Sequence, residues 1–492
     1  MAMPPNESAM PPVKRPRLEP IIRAILIIGA LMVCAVIVLA AFGLRSVAKA
    51  TSSGQSELER LKAEGKPLTP AEAAPKPVPA DQNAAPLYLQ AADALAPDKK
   101  SQSAMDDQLT GANWNDSAAM AKFRDLVASH QSALRLVHAG AERPYFRSNV
   151  KWTAGLDATF PHYSRLRFMA RFLSAATAVS AREGRQAEAL QILRDGFRMS
   201  GHVSQEPCLI GQLASYAIDA ILMRSAEYAV SRGELPAKEA HALADDLGRV
   251  DFYGAMQRAM DMERAWGLQV YADPSLMDRR GEQGSQSTSP PQESVPAGEV
   301  AAHGPLRILT QADQSFYLRG MRQYETEAAV PWREIAAKTD RIDPERDTPR
   351  YFYFSRIMLF DPTRSFANRD ETLARRSILQ AVLGLEVWRQ QHGQYPTSLA
   401  DLRNIGWPVP ADPFSGADFV YKVSAGKYLL YSIGRDLTDD GGTPINRLLP
   451  RALQKKSAED AGDLGDIPWM PWRKDVDYSY HFEGPAIPPT GK

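Results

Sequence analysis

The sequence predicts a mainly α-helical chain of antiparallel helical hairpins, with a small C-terminal α+β module and a single N-terminal transmembrane helix. Three observations carry this. Residues 24–44, AILIIGALMVCAVIVLAAFGL, hold 21 residues and no charge. Between about residues 84 and 250 the apolar residues recur at helical spacing. Near the C-terminus two aromatic and β-branched runs flank a Gly-containing turn.

Residues 1–20 are Pro-rich and polar and read as a disordered cytoplasmic stub. Within the anchor, residues 21–44, the uncharged stretch 24–44 crosses a ~30 Å hydrocarbon core at about 1.5 Å per residue. Lys14, Arg15, Arg17 and Arg23 precede it, against Arg45 and Lys49 just after. Positive flanks stay inside, so the N-terminus is expected in the cytoplasm and the bulk outside the cell membrane. A cleaved signal peptide competes, because Ala48-Lys49-Ala50 resembles a cleavage site. Signal h-regions run only about 7–15 residues, and this stretch is longer.

Residues 45–83 are expected to be a stiff spacer: Ser56 to Glu64 suits a short helix, then Pro67, Pro70, Pro75, Pro77 and Pro79 dominate. Residues 84–278 form the helical-hairpin domain. Leu87, Ala91 and Leu95 share one face, and Phe123, Leu126, Val127, Leu134 and Val137 mark one longer helix. Arg165 to Arg182 and Gln186 to Ser200 follow, broken at Gly184; this pair resembles a tetratricopeptide-type hairpin. Leu209 to Val230 and Lys238 to Leu247 make a second pair, with Gly233 and Pro236 between them. Helix is expected again over Gly254 to Val270. Residues 279–305 contain almost no large apolar residue and read as a disordered linker. Residues 306–369 continue the helix to about Lys338, then reach Tyr351-Phe352-Tyr353-Phe354, expected in the core.

Residues 370–483 form the α+β module, and 484–492 a disordered end. Asp370 to Gln391 is an amphipathic helix with Ala374, Ile378, Ala381, Val382, Leu385 and Trp388 on one face and Arg375, Arg376, Arg389 and Gln390 off it. Phe419 to Val423 and Tyr428 to Ile433 read as strands joined by a three-residue loop, Ser424-Ala425-Gly426. Trp469, Trp472, Tyr478, Tyr480 and Phe482 crowd the tail and are expected to fold back onto a core.

Composition bounds the chemistry. Lys and Arg number 58 and Asp and Glu 58, so no electrostatic footprint points to nucleic acid. Cys34 and Cys208 lie on opposite sides of the expected membrane boundary and cannot form an internal disulfide outside it. No HExxH, GxSxG, phosphate-loop or dinucleotide motif is present. His162, Arg165, Arg167 and Arg171 form a basic cluster suited to a phosphate or headgroup, or else to a solvated face paired with carboxylates.

One stretch carries more specific information. A helix is followed by Gly393-Gln394-Tyr395-Pro396, Leu399, Leu402, Asp412-Pro413-Phe414-Ser415-Gly416, Tyr421 and Tyr431-Ser432-Ile433-Gly434-Arg435-Asp436. Over about residues 370–442 this resembles the globular half of the major pseudopilins of type II secretion. The resemblance implies a calcium loop, and the matching positions are Asp436, Asp439 and Asp440. The loop clusters hard oxygen donors with glycines, as Ca²⁺ requires, and Asp463 or Asp466 could complete it from the tail. As an EF-hand it fails, because Arg447 stands where the bidentate glutamate belongs; an ordinary Asp/Gly turn is the alternative. Pseudopilins also start with a processed helix that runs directly into their globular half. Here the apolar stretch lacks the cleavage glycine and the glutamate, and lies far upstream. The expected function is a membrane-anchored extracytoplasmic scaffold with a protein partner. An envelope hydrolase assembled from distant residues, or a divergent pseudopilin-related component, is the alternative.

Overall fold

The computed structural model describes residues 55–110, 113–277, 304–444 and 465–470. The expected stub, the apolar stretch 24–44, nearly all of the linker, Asp463 and the tail beyond 470 lie outside these residues. Among the described residues, no helix is long and apolar enough to cross a membrane. The structure is mainly helical, 66% helix, with a three-stranded antiparallel sheet.

The helical stack forms where small residues let helices approach closely. Helices Pro161–Arg182, Gln186–Val203 and Leu209–Val230 pack on one another, and Ala237–Leu247 closes against the second. Leu166, Met169, Leu173, Ala176 and Ser180 are buried as their spacing predicts. Gly184, at φ +76°, ends the first helix in the left-handed conformation. Gly196 leaves room for Leu222: a Cβ there would stand 2.8 Å from a Leu222 methyl.

Several helices differ from expectation, and the one expected from Asp370 already begins at Thr363. The single helix expected around residues 123–137 is two, Ser117–Ser129 and Gln131–Ala141, because His130 leaves helical geometry at φ −120°, ψ 31°. Its ring instead bonds back to the Leu126 carbonyl at 2.8 Å. The helix expected to run to Lys338 stops at Ala328 and resumes over Trp332–Ala336. Pro331 intervenes and has no amide to donate. Helix Lys99–Thr110 falls within the expected helical region but is not singled out by the pattern; of its side chains only Leu109 is buried, so its periodicity gives no signal.

Residues 55–83 form no free spacer. Residues 55–63 are helical, and Leu61 is buried in a cluster with Tyr216, Phe252, Met256 and Phe316. Glu57 pairs with Arg322 at 3.3 Å, Arg264 donates to the Pro67 carbonyl at 2.9 Å, and Arg147 Nε donates to the Lys76 carbonyl at 2.9 Å. Proline keeps the stretches between the strap's short helices extended, and their bare carbonyls invite arginine donors from the body.

Helix Thr363–His392 has 30 residues, about 45 Å, and joins the two parts of the molecule. The amphipathic reading of it was incomplete. Ala374, Ile378, Ala381, Val382 and Leu385 are buried as expected, but Leu379, Leu383 and Val387 are too, and so is Arg376. The helix is covered on both sides: Ala237–Leu247 and Leu209–Val230 on one, the sheet on the other. Arg376 reaches Asp219 at 2.5 and 2.8 Å and the carbonyls of Phe197 and Leu247. Strands Val420–Ser424 and Lys427–Ser432 pair through Ser424↔Lys427. That register leaves a two-residue turn, not three, with both Ala425 (φ 50°) and Gly426 (φ 73°) left-handed, the hand that matches strand twist. A third strand, Ile467–Pro468, returns from the tail beside the second, and Trp469 is buried. The tyrosine run Tyr351 to Phe354 divides: Phe352 and Phe354 are core, Tyr351 and Tyr353 are exposed.

Candidate functional site

Polar side chains gather in the acidic loop, which lies apart from a recess beneath the strap. The loop follows the second strand. Asp412 is buried, and its carboxylate accepts from Ser432 Oγ at 2.7 Å and from the Phe414 amide at 3.1 Å. The two signature elements therefore close on each other. Arg435 then donates to Glu371 at 2.7 Å and Asn368 at 2.9 Å on the long helix, while Trp332 Nε1 donates to the Arg435 carbonyl at 2.7 Å.

Beyond Arg435 the three expected ligands diverge. Asp436 accepts from the Gly465 amide at 2.9 Å and the Thr438 amide at 3.3 Å. Asp439 accepts from the Gly441 amide at 2.9 Å and Tyr431 OH at 2.8 Å; these bonds to the charged form hold its pKa below the usual carboxylate range. The Asp440 carbonyl accepts from Thr443, closing the turn. Asp466 does return from the tail. It is buried, and Oδ2 accepts from the Gly442 amide at 2.6 Å. Its Oδ1 is buried with no hydrogen-bond partner. Burial, and after it the carboxylates of Asp439 and Asp440, push its pKa up. Among the described residues no three His, Cys, Asp or Glu side chains are grouped as one metal ion would need. The carboxylates of Asp436 and Asp439 act as turn acceptors; Asp466 Oδ1 is the buried carboxylate oxygen here that lacks a hydrogen-bond partner.

The recess was not legible in the sequence. It has a volume of about 460 Å³ between the strap, the Pro144–Arg147 segment, the turn at Gln205–Pro207 and helix Phe252–Ala272. Its walls carry four prolines, Tyr145, Arg147, Arg258, Glu72 and Asp261. Arg147 bonds Lys76 O and Gln205 Oε1, and burial lowers its pKa. Glu72 caps its own turn, accepting from the Leu68 and Thr69 amides at 2.7 and 3.2 Å. Asp261 pairs with Arg264 at 3.0 Å.

Behind the Gln205–Pro207 turn lies a sealed polar knot. Glu206 accepts from Tyr163 OH at 2.5 Å, from His162 Nε2 at 2.9 Å and from Ser148 Oγ. Cys208 Sγ is 3.3 Å from Tyr163 OH. All but Ser148 are buried, and burial pushes both the thiol and the phenol up. A protonated buried thiol is no nucleophile. None of these side chains lines the recess. The knot fixes the sharp turn between two long helices, and Gln212 completes it by donating to the Ser204 and Glu206 carbonyls.

The basic cluster is dispersed by the same folding. His162 belongs to the knot, Arg165 pairs with Asp93, and Arg171 pairs with Asp106 at 2.8 Å. Arg167 is half-buried, and burial and the Arg171 charge lower its pKa. Other histidines also carry acid or phenol partners. His138 is 3.0 Å from Asp195, whose pKa burial raises, and His202 Nδ1 is 2.8 Å from Tyr88 OH. Burial pushes His202 down to about 4, so it stays neutral near pH 7.

No family model, no curated protein and no solved structure matches this chain.

Proposed function

We propose that the chain is a single-pass, membrane-anchored scaffold or interaction protein of the cell envelope. Its N-terminus lies in the cytoplasm, its bulk is extracytoplasmic, and its pseudopilin-like end associates with a secretion-type assembly. The observation that carries the interaction reading is the make-up of the recess. Its walls are prolines, alanines, Tyr145 and two arginines, with carboxylates and a glutamine, and no Ser, Cys or His faces it. Rigid prolines with exposed Tyr and Arg suit recognition of a partner segment, since such residues dominate binding surfaces. The side chains that could do chemistry are tied up in the knot behind.

A photo-crosslinking residue at Tyr145 of the full chain in its own membrane tests this. A discrete adduct, weakened by Arg258→Glu, is the expected result. Absence of any adduct, together with ester or peptide hydrolysis abolished by His162→Ala or Ser148→Ala, would replace it with the hydrolase reading.

Calcium at Asp436, Asp439 and Asp440 is retained as a second proposal, supported by the partnerless Oδ1 of Asp466 beside them. Thermal unfolding with calcium, magnesium or chelator checks it. A ligand that binds only the folded chain raises stability by RT ln(1 + [L]/Kd). The expected result is a rise in Tm with calcium that Asp466→Asn and Asp436→Ala remove; an unchanged Tm makes the loop an ordinary turn.

A further inference from the structure

Residues 351–360 divide their apolar side chains between two sides. Phe352, Phe354 and Leu359 are buried. Tyr351, Tyr353, Ile357 and Phe360 remain exposed by 66, 52, 53 and 36%. Tyr353 and Ile357 are four apart on helix Tyr353–Met358 and so share a face. Single exposed apolar residues are ordinary; four within ten residues form a patch that marks a contact surface. Arg350 and Arg356, both exposed, interleave with it.

The position of the patch says what it meets. Leu359 fills the space over Gly320, where a Cβ would stand 2.7 Å from its methyls. Two residues along the same helix, Arg322 pairs with Glu57 of the first described helix. That is about 3 Å along the axis and about 200° around it, so the two contacts take different faces of the helix. Leu61, Phe352 and Leu359 belong to one buried cluster. The segment bearing the patch and residues 55–63, the described part nearest in sequence to the apolar stretch, therefore pack against the same helix and enter one buried cluster. Ten residues, 45–54, separate residue 55 from Leu44. Even fully extended they span at most about 35 Å. Residues 279–305 are poor cover for the patch, with no aromatic residue and only Val295 and Val300 as larger aliphatics.

We propose that Tyr351, Tyr353, Ile357 and Phe360 rest in the headgroup layer of the same bilayer that holds residues 24–44, so that the body lies on the membrane in one orientation. This rests on the membrane-anchored reading above. Tyrosine suits that layer, with the ring toward the acyl chains and the hydroxyl toward water, and Arg350 and Arg356 meet lipid phosphates there.

The test uses the full chain in phosphatidylcholine–phosphatidylglycerol vesicles with a fluorophore on a single cysteine. Cys208 is fully buried and stays unlabelled. Three labelled chains are compared: native Cys34, and Ile357→Cys and Lys427→Cys, each in a Cys34→Ser background. Spin-labelled lipid and aqueous iodide serve as quenchers. The expected result is strong lipid quenching at Cys34, and lipid quenching at position 357 several-fold above that at 427, with iodide quenching reduced at 357. Lipid quenching at Cys34 with position 357 open to iodide overturns the inference and leaves the anchor standing. Position 357 shielded from both quenchers also overturns it, in favour of a protein occupant. If Cys34 itself escapes lipid quenching, the anchored reading falls and the inference with it.

Discussion

Arg376 illustrates what a single buried residue does in this chain. Its guanidinium and the Asp219 carboxylate are both about fully buried, 1% and 2% exposed, and the two carbonyls of Phe197 and Leu247 complete its bonding. Removing one partner leaves an uncompensated buried charge, a loss of about 3–5 kcal/mol. Arg376→Met alone is therefore expected to lower the urea midpoint sharply, while Arg376→Met with Asp219→Leu loses much less; equilibrium unfolding of the three chains checks this. Glu263 gives a pH dependence. Burial lifts its pKa from 4.5 to about 7, against the Leu209 amide that donates to it at 3.0 Å. The folded chain thus binds this proton more tightly than the unfolded one. The contribution is whole below pH 4.5 and is lost as pH rises through about 7, a change on the order of 3 kcal/mol. The difference in stability between the native chain and Glu263→Gln should follow that window. Neither residue was legible. Arg376 reads from sequence as a residue off the apolar face, because periodicity records one covered side of a helix and not two.

At the scale of elements, the long helix and the two packing modes around it set the architecture. Where one face is apolar and small residues repeat, as in Pro161–Arg182, the pattern and its Gly184 stop were readable. Elements held by few buried side chains, such as Lys99–Thr110 and the strand Ile467–Pro468, were not. In the acidic loop, sequence placed Asp436, Asp439 and Asp440 in one turn and anticipated Asp466. It could not tell which amides they serve, since that depends on Gly465 arriving from outside the loop. Close approach at Gly384 offers an element-scale prediction. A Cβ there would stand 2.6 Å from Trp407, whose indole donates to the Gln380 carbonyl at 2.7 Å. Gly384→Ala should displace Trp407, cost about 1–3 kcal/mol and change the near-ultraviolet dichroism of the tryptophans.

For the whole molecule, the shared helix means that the stack and the sheet cannot be stabilised separately. Arg376 ties the helix Thr363–His392 to the stack, and Arg435 ties the sheet's loop to the same helix. A single calorimetric transition is expected for both parts, and Asp219→Asn should lower it without splitting it; two resolved transitions would contradict the shared core. The strap has a mechanical consequence. Its holds on the body, Glu57 to Arg322, Pro67 to Arg264 and Lys76 to Arg147, succeed one another along the chain. Tension from the N-terminal side would load them one at a time, so they would yield by peeling at low force and not by a collective shear. Residues 55–83 would then pay out as slack, about 100 Å of it at full extension. The helical stack would feel a pull only after that reserve was spent, which would make the strap a shock absorber between the proposed anchor and the folded body.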